Sequence, residues 1–105
     1  QGLLRQSSGG DAGKAGHLLA LYCRSAEDDL LALDEAERHG GGAIVRVAHR
    51  IKGAALMIGA NEVAGIAKAL EERAAVPQDT GVSGLATELR QAIARVQAYA
   101  REYSA

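Results

Sequence analysis

Between Ala43 and Ile58 the apolar residues Ile44, Val47, Ala48, Ile51, Ala55 and Ile58 return every three or four positions. That spacing lays them along one face of an α-helix and does not fit the period of two that a strand requires. The same spacing recurs in three other stretches. Leu18, Leu19, Tyr22 and Ala26 lead into Leu30, Leu33 and Ala36. Val63, Ile66, Ala67, Leu70 and Ala74 follow, and then Leu85, Leu89, Ile93, Val96, Ala100 and Tyr103. No stretch alternates as a strand would. A chain of 105 residues is one domain by length. Its apolar stripes must cover one another. The expected fold is all-α: an up-and-down antiparallel four-helix bundle with an extra short or kinked N-terminal helix.

Punctuation along the chain sets the expected boundaries. Gln1 to Gly16 is rich in Ser and Gly and reads as a linker that merges into a helix, so residues 1–10 are assigned as flexible linker and 11–105 as the bundle. Ser25 to Asp28 has the form of a capping box, implying a new helix or a re-capped kink there. Gly40, Gly41 and Gly42 end the first helical region, because three glycines cost too much backbone entropy inside a helix. The next helix is expected from about Ala43 to Ile58, with Gly59 as a left-handed C-cap. Asn61 is the expected N-cap of the third helix, with Glu62 favourably placed at its dipole, and Ser83 that of the last. Pro77 to Gly81 forms the loop between them.

Composition removes several classes of function. Twelve basic and thirteen acidic side chains nearly cancel, leaving no field of the kind a nucleic-acid binder uses. No apolar run approaches a membrane span, and the N-terminus has no signal-peptide pattern; a cytoplasmic location fits. The lone Cys23 excludes an intrachain disulfide and a thiolate metal cluster. His17, His39 and His49 lie too far apart in the sequence for a zinc motif. No Gly-x-x-x-x-Gly-Lys-Ser/Thr run is present, so the chain has no evident ATP site.

His49 stands out. At about 100° per residue it points away from the apolar stripe, which lies roughly 160–240° around the helix from it. Gly42, Val45, Arg46, Lys52, Gly53 and Leu56 share its side, and Arg50 follows it. Neutral imidazole is a nucleophile at physiological pH. Lys52 can offset the charge of a phosphorylated ring. Gly53, which costs up to ~1 kcal/mol against Ala in mid-helix, opens room for a partner. Val45 and Leu56, with Arg46 and Arg50, then read as contact area for that partner.

The run Ala48-His-Arg-Ile-Lys-Gly-Ala-Ala-Leu-Met-Ile-Gly-Ala60 resembles the signature of the histidine-containing phosphotransfer family, roughly His-x-Leu-Lys-Gly-Ser/Ala-Ser/Ala-x-x-x-Gly-Ala. The resemblance extends over about Leu18 to Tyr103. It is strongest to the C-terminal module of bacterial hybrid sensor kinases of the Bordetella virulence-sensor type. It implies a four-helix bundle in which His49 carries the phosphoryl group on its outer ring nitrogen, with Lys52 and Gly53 as its characteristic neighbours. It also implies two partners: a receiver domain of the parent chain as donor and a response-regulator receiver as acceptor. Mg²⁺ would sit on the receiver, with no cofactor in this domain. The isolated module would be a monomeric phosphocarrier rather than an enzyme, and the parent a kinase anchored in the inner membrane. Three positions depart from the family pattern. Tyr22 stands where Phe is common, glycine replaces an acidic residue before the histidine helix, and Ala54 replaces Ser.

Two other functions are set beside the relay. One is the N-terminal phosphoacceptor domain of a chemotaxis-type kinase; the other is a plain helical adaptor. His17 reads as an exposed helix residue and His39 as a helix C-terminal residue favoured by the dipole. Glu27-Asp28-Asp29 and Asp34-Glu35 read as solvated faces. Lys68, Glu71, Glu72 and Arg73 read as surface pairs of small individual worth.

Overall fold

The computed structural model describes residues 12–77 and 80–104, with side chains described over 16–77 and 80–102. The proposed linker at 1–10, Asp11 and the side chain of Tyr103 lie outside these residues, as do two positions of the Pro77–Gly81 loop. Among the described residues there are four helices and no strands: α1 (Ala12–His39), α2 (Gly41–Met57), α3 (Asn61–Ala74) and α4 (Val82–Ser104). Among the described residues each packs against its neighbour in the chain and α1 closes the ring against α4, with no diagonal pairing of helices. This is the expected up-and-down bundle. At a rise of about 1.5 Å per residue α1 is roughly 42 Å long, nearly the whole 47 Å length of the molecule.

The stripes read from the sequence form the core. Leu19, Leu33, Ile51, Val63, Leu70, Leu89 and Ile93 are fully enclosed. Between them lie Ala26, Ala48, Ala55, Ala67, Ala86 and Ala92, whose small side chains let the helices approach closely. Leu18 is an exception, turned partly to solvent. Tyr22 is the buried aromatic, and burial, with Asp29 nearby, pushes its phenol up to about 12.

Several boundaries differ from the sequence-based expectation. α1 runs unbroken through Ser25, so the capping-box pattern starts no separate helix there. Residues facing the core on both sides of Ser25 keep one register, and their burial outweighs a local cap. Of the three glycines only Gly40 links α1 to α2, with a φ of 110° that disfavours any side chain. Gly41 and Gly42 already belong to α2. A Cβ on Gly41 would lie 2.5 Å from the carbonyl oxygen of Ala74, so this glycine lets α2 begin directly against the end of α3. Asn61 is the first residue of α3 rather than its cap; Ala60 holds the cap position without a side-chain bond. Ser83 likewise falls inside α4, which begins at Val82.

Gly59 behaves as expected. With φ 75°, it lets the amide of Ala60 donate to Ala55 O at 2.9 Å and its own amide donate to Leu56 O at 3.3 Å. This closes the end of α2. Ion pairs fasten the outer edges: Arg95 donates to both carboxylate oxygens of Glu62, joining α4 to α3. Arg90 pairs with Asp34 and Glu37, joining α4 to α1.

Candidate functional site

α2 is held on both flanks, by α1 and by α3, and its outer ridge faces solvent. Ile44, Ala48, Ile51 and Ala55 bury its inner face. Helical geometry therefore turns His49 outward, and its side chain is 68% exposed. Gly42, Arg46 and Gly53 share this open ridge. A Cβ on Gly53 would meet nothing within 4 Å, so the bundle itself does not need glycine there. Gly65 and Gly84 are equally open. What distinguishes Gly53 is its place one turn from an exposed imidazole.

The ring is not free to turn at random. Its Nδ1 lies 3.0 Å from Oε2 of Glu71 on α3. The other carboxylate oxygen of Glu71 is buried, with Lys52 Nζ 3.0 Å away as an ion pair rather than an aligned hydrogen bond. The adjacent Lys52 ammonium holds the Glu71 carboxyl below its ordinary value; partial burial opposes this and His49 adds to it. An ionised carboxylate can only accept. Nδ1 must therefore carry the hydrogen, and in the neutral ring the lone pair resides on Nε2, the nitrogen away from α3.

The other expected site residues are distributed differently. Lys52 is 26% exposed and already paired, so it is a cation held in place beside His49 rather than a mobile one. Arg46 is exposed and Leu56 is 58% exposed. Val45 is half-buried against the core rather than exposed, because its position on α2 turns it toward the α3 side. Arg50 is exposed, but its guanidinium is tied to Asp29 of α1.

Two residues of this region escaped the sequence reading. By sequence Glu71 reads as one of a set of surface pairs, and no local spacing joins it to a histidine 22 positions earlier. By sequence Asp29 belongs to an acidic run that reads as solvated, yet it is 4% exposed. A signal for Asp29 was present: it continues the three-and-four spacing of Leu19, Tyr22, Ala26, Leu33 and Ala36. Among the described residues no group of His, Cys, Asp and Glu could hold a metal ion, and no helix is long and apolar enough to cross a membrane.

A search of the curated proteins finds no match, and neither does a search of the solved structures. The family model described as Hpt domain matches residues 17–99, from the first described turns of α1 to well within α4. Hpt domains are phosphocarrier modules, not catalytic kinases, and they work with receiver domains in phosphorelays. The span of that match and the four-helix ring together place this chain in the Hpt domain family.

Proposed function

We propose that His49 is the phosphoacceptor of this Hpt domain and that Nε2 is the attacking atom. The observation that carries the reading is the contact between His49 Nδ1 and Glu71, which leaves a lone pair on the outer nitrogen of an exposed ring. In the reaction Nε2 attacks the phosphorus of an aspartyl phosphate on a receiver domain. The N–P bond forms as the P–O bond breaks, and the aspartate leaves as a carboxylate. The proton stays on Nδ1, and Glu71 opposes the positive charge the ring acquires. Transfer to a second receiver's aspartate reverses these steps.

Lys52 stands one helical turn from the acceptor, where its ammonium offsets phosphoryl charge. Gly53 leaves space for the incoming active site, with Arg46, Arg50 and Leu56 around it. Mg²⁺ belongs on the receiver. The finer assignment is a module of a hybrid sensor kinase, joined through residues 1–10 to a receiver of the same parent, working in the cytoplasm as a monomer when isolated.

The test is phosphorylation with phosphoramidate and then with a panel of acetyl-phosphate-loaded receiver domains. One acid-labile phosphate per chain is expected, absent in His49→Gln and present in His39→Gln and His17→Gln. Undiminished labelling of a folded His49→Gln variant would overturn the assignment.

A further inference from the structure

Asp29 is the one charged side chain buried among the described residues, and it occupies a core-facing position of α1. A leucine there would continue the stripe, and replacing a buried ion pair by well-packed apolar residues is often neutral or stabilising. Asp29 instead receives two donors from one side chain. Arg50 Nε donates to Oδ1 at 2.8 Å and Arg50 Nη2 lies 2.7 Å from the same oxygen. Two N–H groups converging on one oxygen fix the edge of the planar guanidinium. The rest of that group is outside: the Arg50 side chain is 58% exposed.

Arg50 follows His49 in sequence, but Asp29 draws it toward α1, whereas Glu71 holds the imidazole toward α3. Arg50 is therefore turned away from the reacting ring. It stands on the edge of a groove of about 350 Å³ between α1 and α2, lined by Ala32, Ala36, Val47 and Arg46 among others. Arg46, also on this edge, has no ion pair among the described residues. Glu35 across the groove is occupied by Arg38 and His39.

Resting on the assignment of His49 as acceptor, we propose that Asp29 is a positioning residue for receiver recognition. It holds Arg50 as a preset cation that takes a surface carboxylate of the incoming receiver on the α1 side of the docking face, away from the phosphorylated aspartate. The arrangement acts on the encounter and not on the chemical step, because the guanidinium is held off the imidazole. Fixing a long side chain before the partner arrives lowers the ordering cost of docking. A guanidinium set in a fork suits a carboxylate.

The experiment is rapid-quench phosphotransfer from the fastest receiver of the panel, with receiver concentration varied. Asp29→Leu and Arg50→Gln are each expected to raise the receiver concentration at half-maximal rate roughly fivefold. The rate at saturating receiver should stay within about twofold of wild type. The double variant should be no worse than Arg50→Gln alone, since Asp29 acts through Arg50. Asp29→Asn keeps an acceptor oxygen and the side-chain volume; it should give a smaller rise, about twofold, and covers the case in which Asp29→Leu does not fold.

Wild-type half-saturation in a folded Asp29→Leu or Asp29→Asn variant would overturn the proposal. So would additive losses in the double variant, or a loss confined to the saturating rate. Phosphoramidate labelling of the unaltered chain keeps the two questions apart. If that label is not on His49, the acceptor assignment fails; if it is and half-saturation does not move, only the role of Asp29 fails.

Discussion

The described residues include two imidazole–glutamate–cation groups, and they leave different ring nitrogens open. At the end of α1, His39 Nε2 lies 2.8 Å from Glu35, and Arg38 pairs with the same carboxylate. On α2, His49 Nδ1 lies 3.0 Å from Glu71, and Lys52 pairs with that carboxylate. The parts are nearly the same and both rings are exposed. The difference is which nitrogen is occupied. His39 spends its outer nitrogen on a neighbour one turn back in its own helix, leaving the nitrogen nearest its own backbone. His49 spends the inner nitrogen on a carboxylate from another helix, leaving the outer one toward solvent. An i, i+4 pair forms in any helix with that spacing, whereas the His49 group exists only when α2 and α3 are packed. Which nitrogen stays open depends on the direction from which the carboxylate arrives.

The largest expected effect that separates the groups is on the rate of labelling. Glu71→Gln puts an amide opposite Nδ1, and an amide that donates favours the tautomer with the hydrogen on Nε2. Phosphoramidate labelling of His49 should slow about tenfold, less than for a buried triad because the exposed ring can exchange tautomers through water. Glu35→Gln should leave the rate unchanged. Equal rates for the two variants would erase the distinction.

A smaller effect is expected at Gly53, a mid-helix glycine one turn from His49, whereas the glycine beside His39, Gly40, serves the turn between helices. Gly53→Ala should raise stability by up to about 1 kcal/mol in urea unfolding, since the new methyl meets nothing in the fold. Transfer from a receiver should slow roughly threefold, because the methyl enters the contact surface. Labelling by phosphoramidate should not. A loss of stability would mean that the glycine serves the bundle, as Gly41 does.

The smallest expected effect concerns acid. The carboxyls of Glu35 and Glu71 are both held below their ordinary value of 4.5, Glu35 first by Arg38 and then by His39, Glu71 first by Lys52. A carboxyl whose folded value is depressed contributes stability above its unfolded value and loses it as pH falls through the folded one. Each glutamate therefore adds to the fall in the urea midpoint below about pH 4.5, and Glu35→Gln and Glu71→Gln should each make that fall shallower.

The bundle was legible in the sequence because burial of four apolar stripes is a periodic property. The outward turn of His49 was legible because its angle to the stripe follows from the same period. Local signals did less well where burial opposed them. Ser25 looks like a cap, but Tyr22, Ala26, Leu33 and Ala36 continue one buried face past it. Asn61 looks like a cap, but the tight turn at Gly59 and Ala60 has already begun α3. Asp29 was hidden by composition: as one of three consecutive acids it resembled a wet surface, while its place in the repeat put it inside.

By itself the sequence determined the helices, their inner faces and an outward imidazole, since all three follow from the rotation per residue along one element. Only the tertiary structure decided which nitrogen of His49 remains available, that Lys52 is held beside it, and that Arg50 is anchored from within. Those relations join side chains 21, 22 and 19 residues apart. They arise because a hydrogen bond or ion pair between helices depends on how two packed cylinders are rotated against each other, a quantity that no single helix encodes.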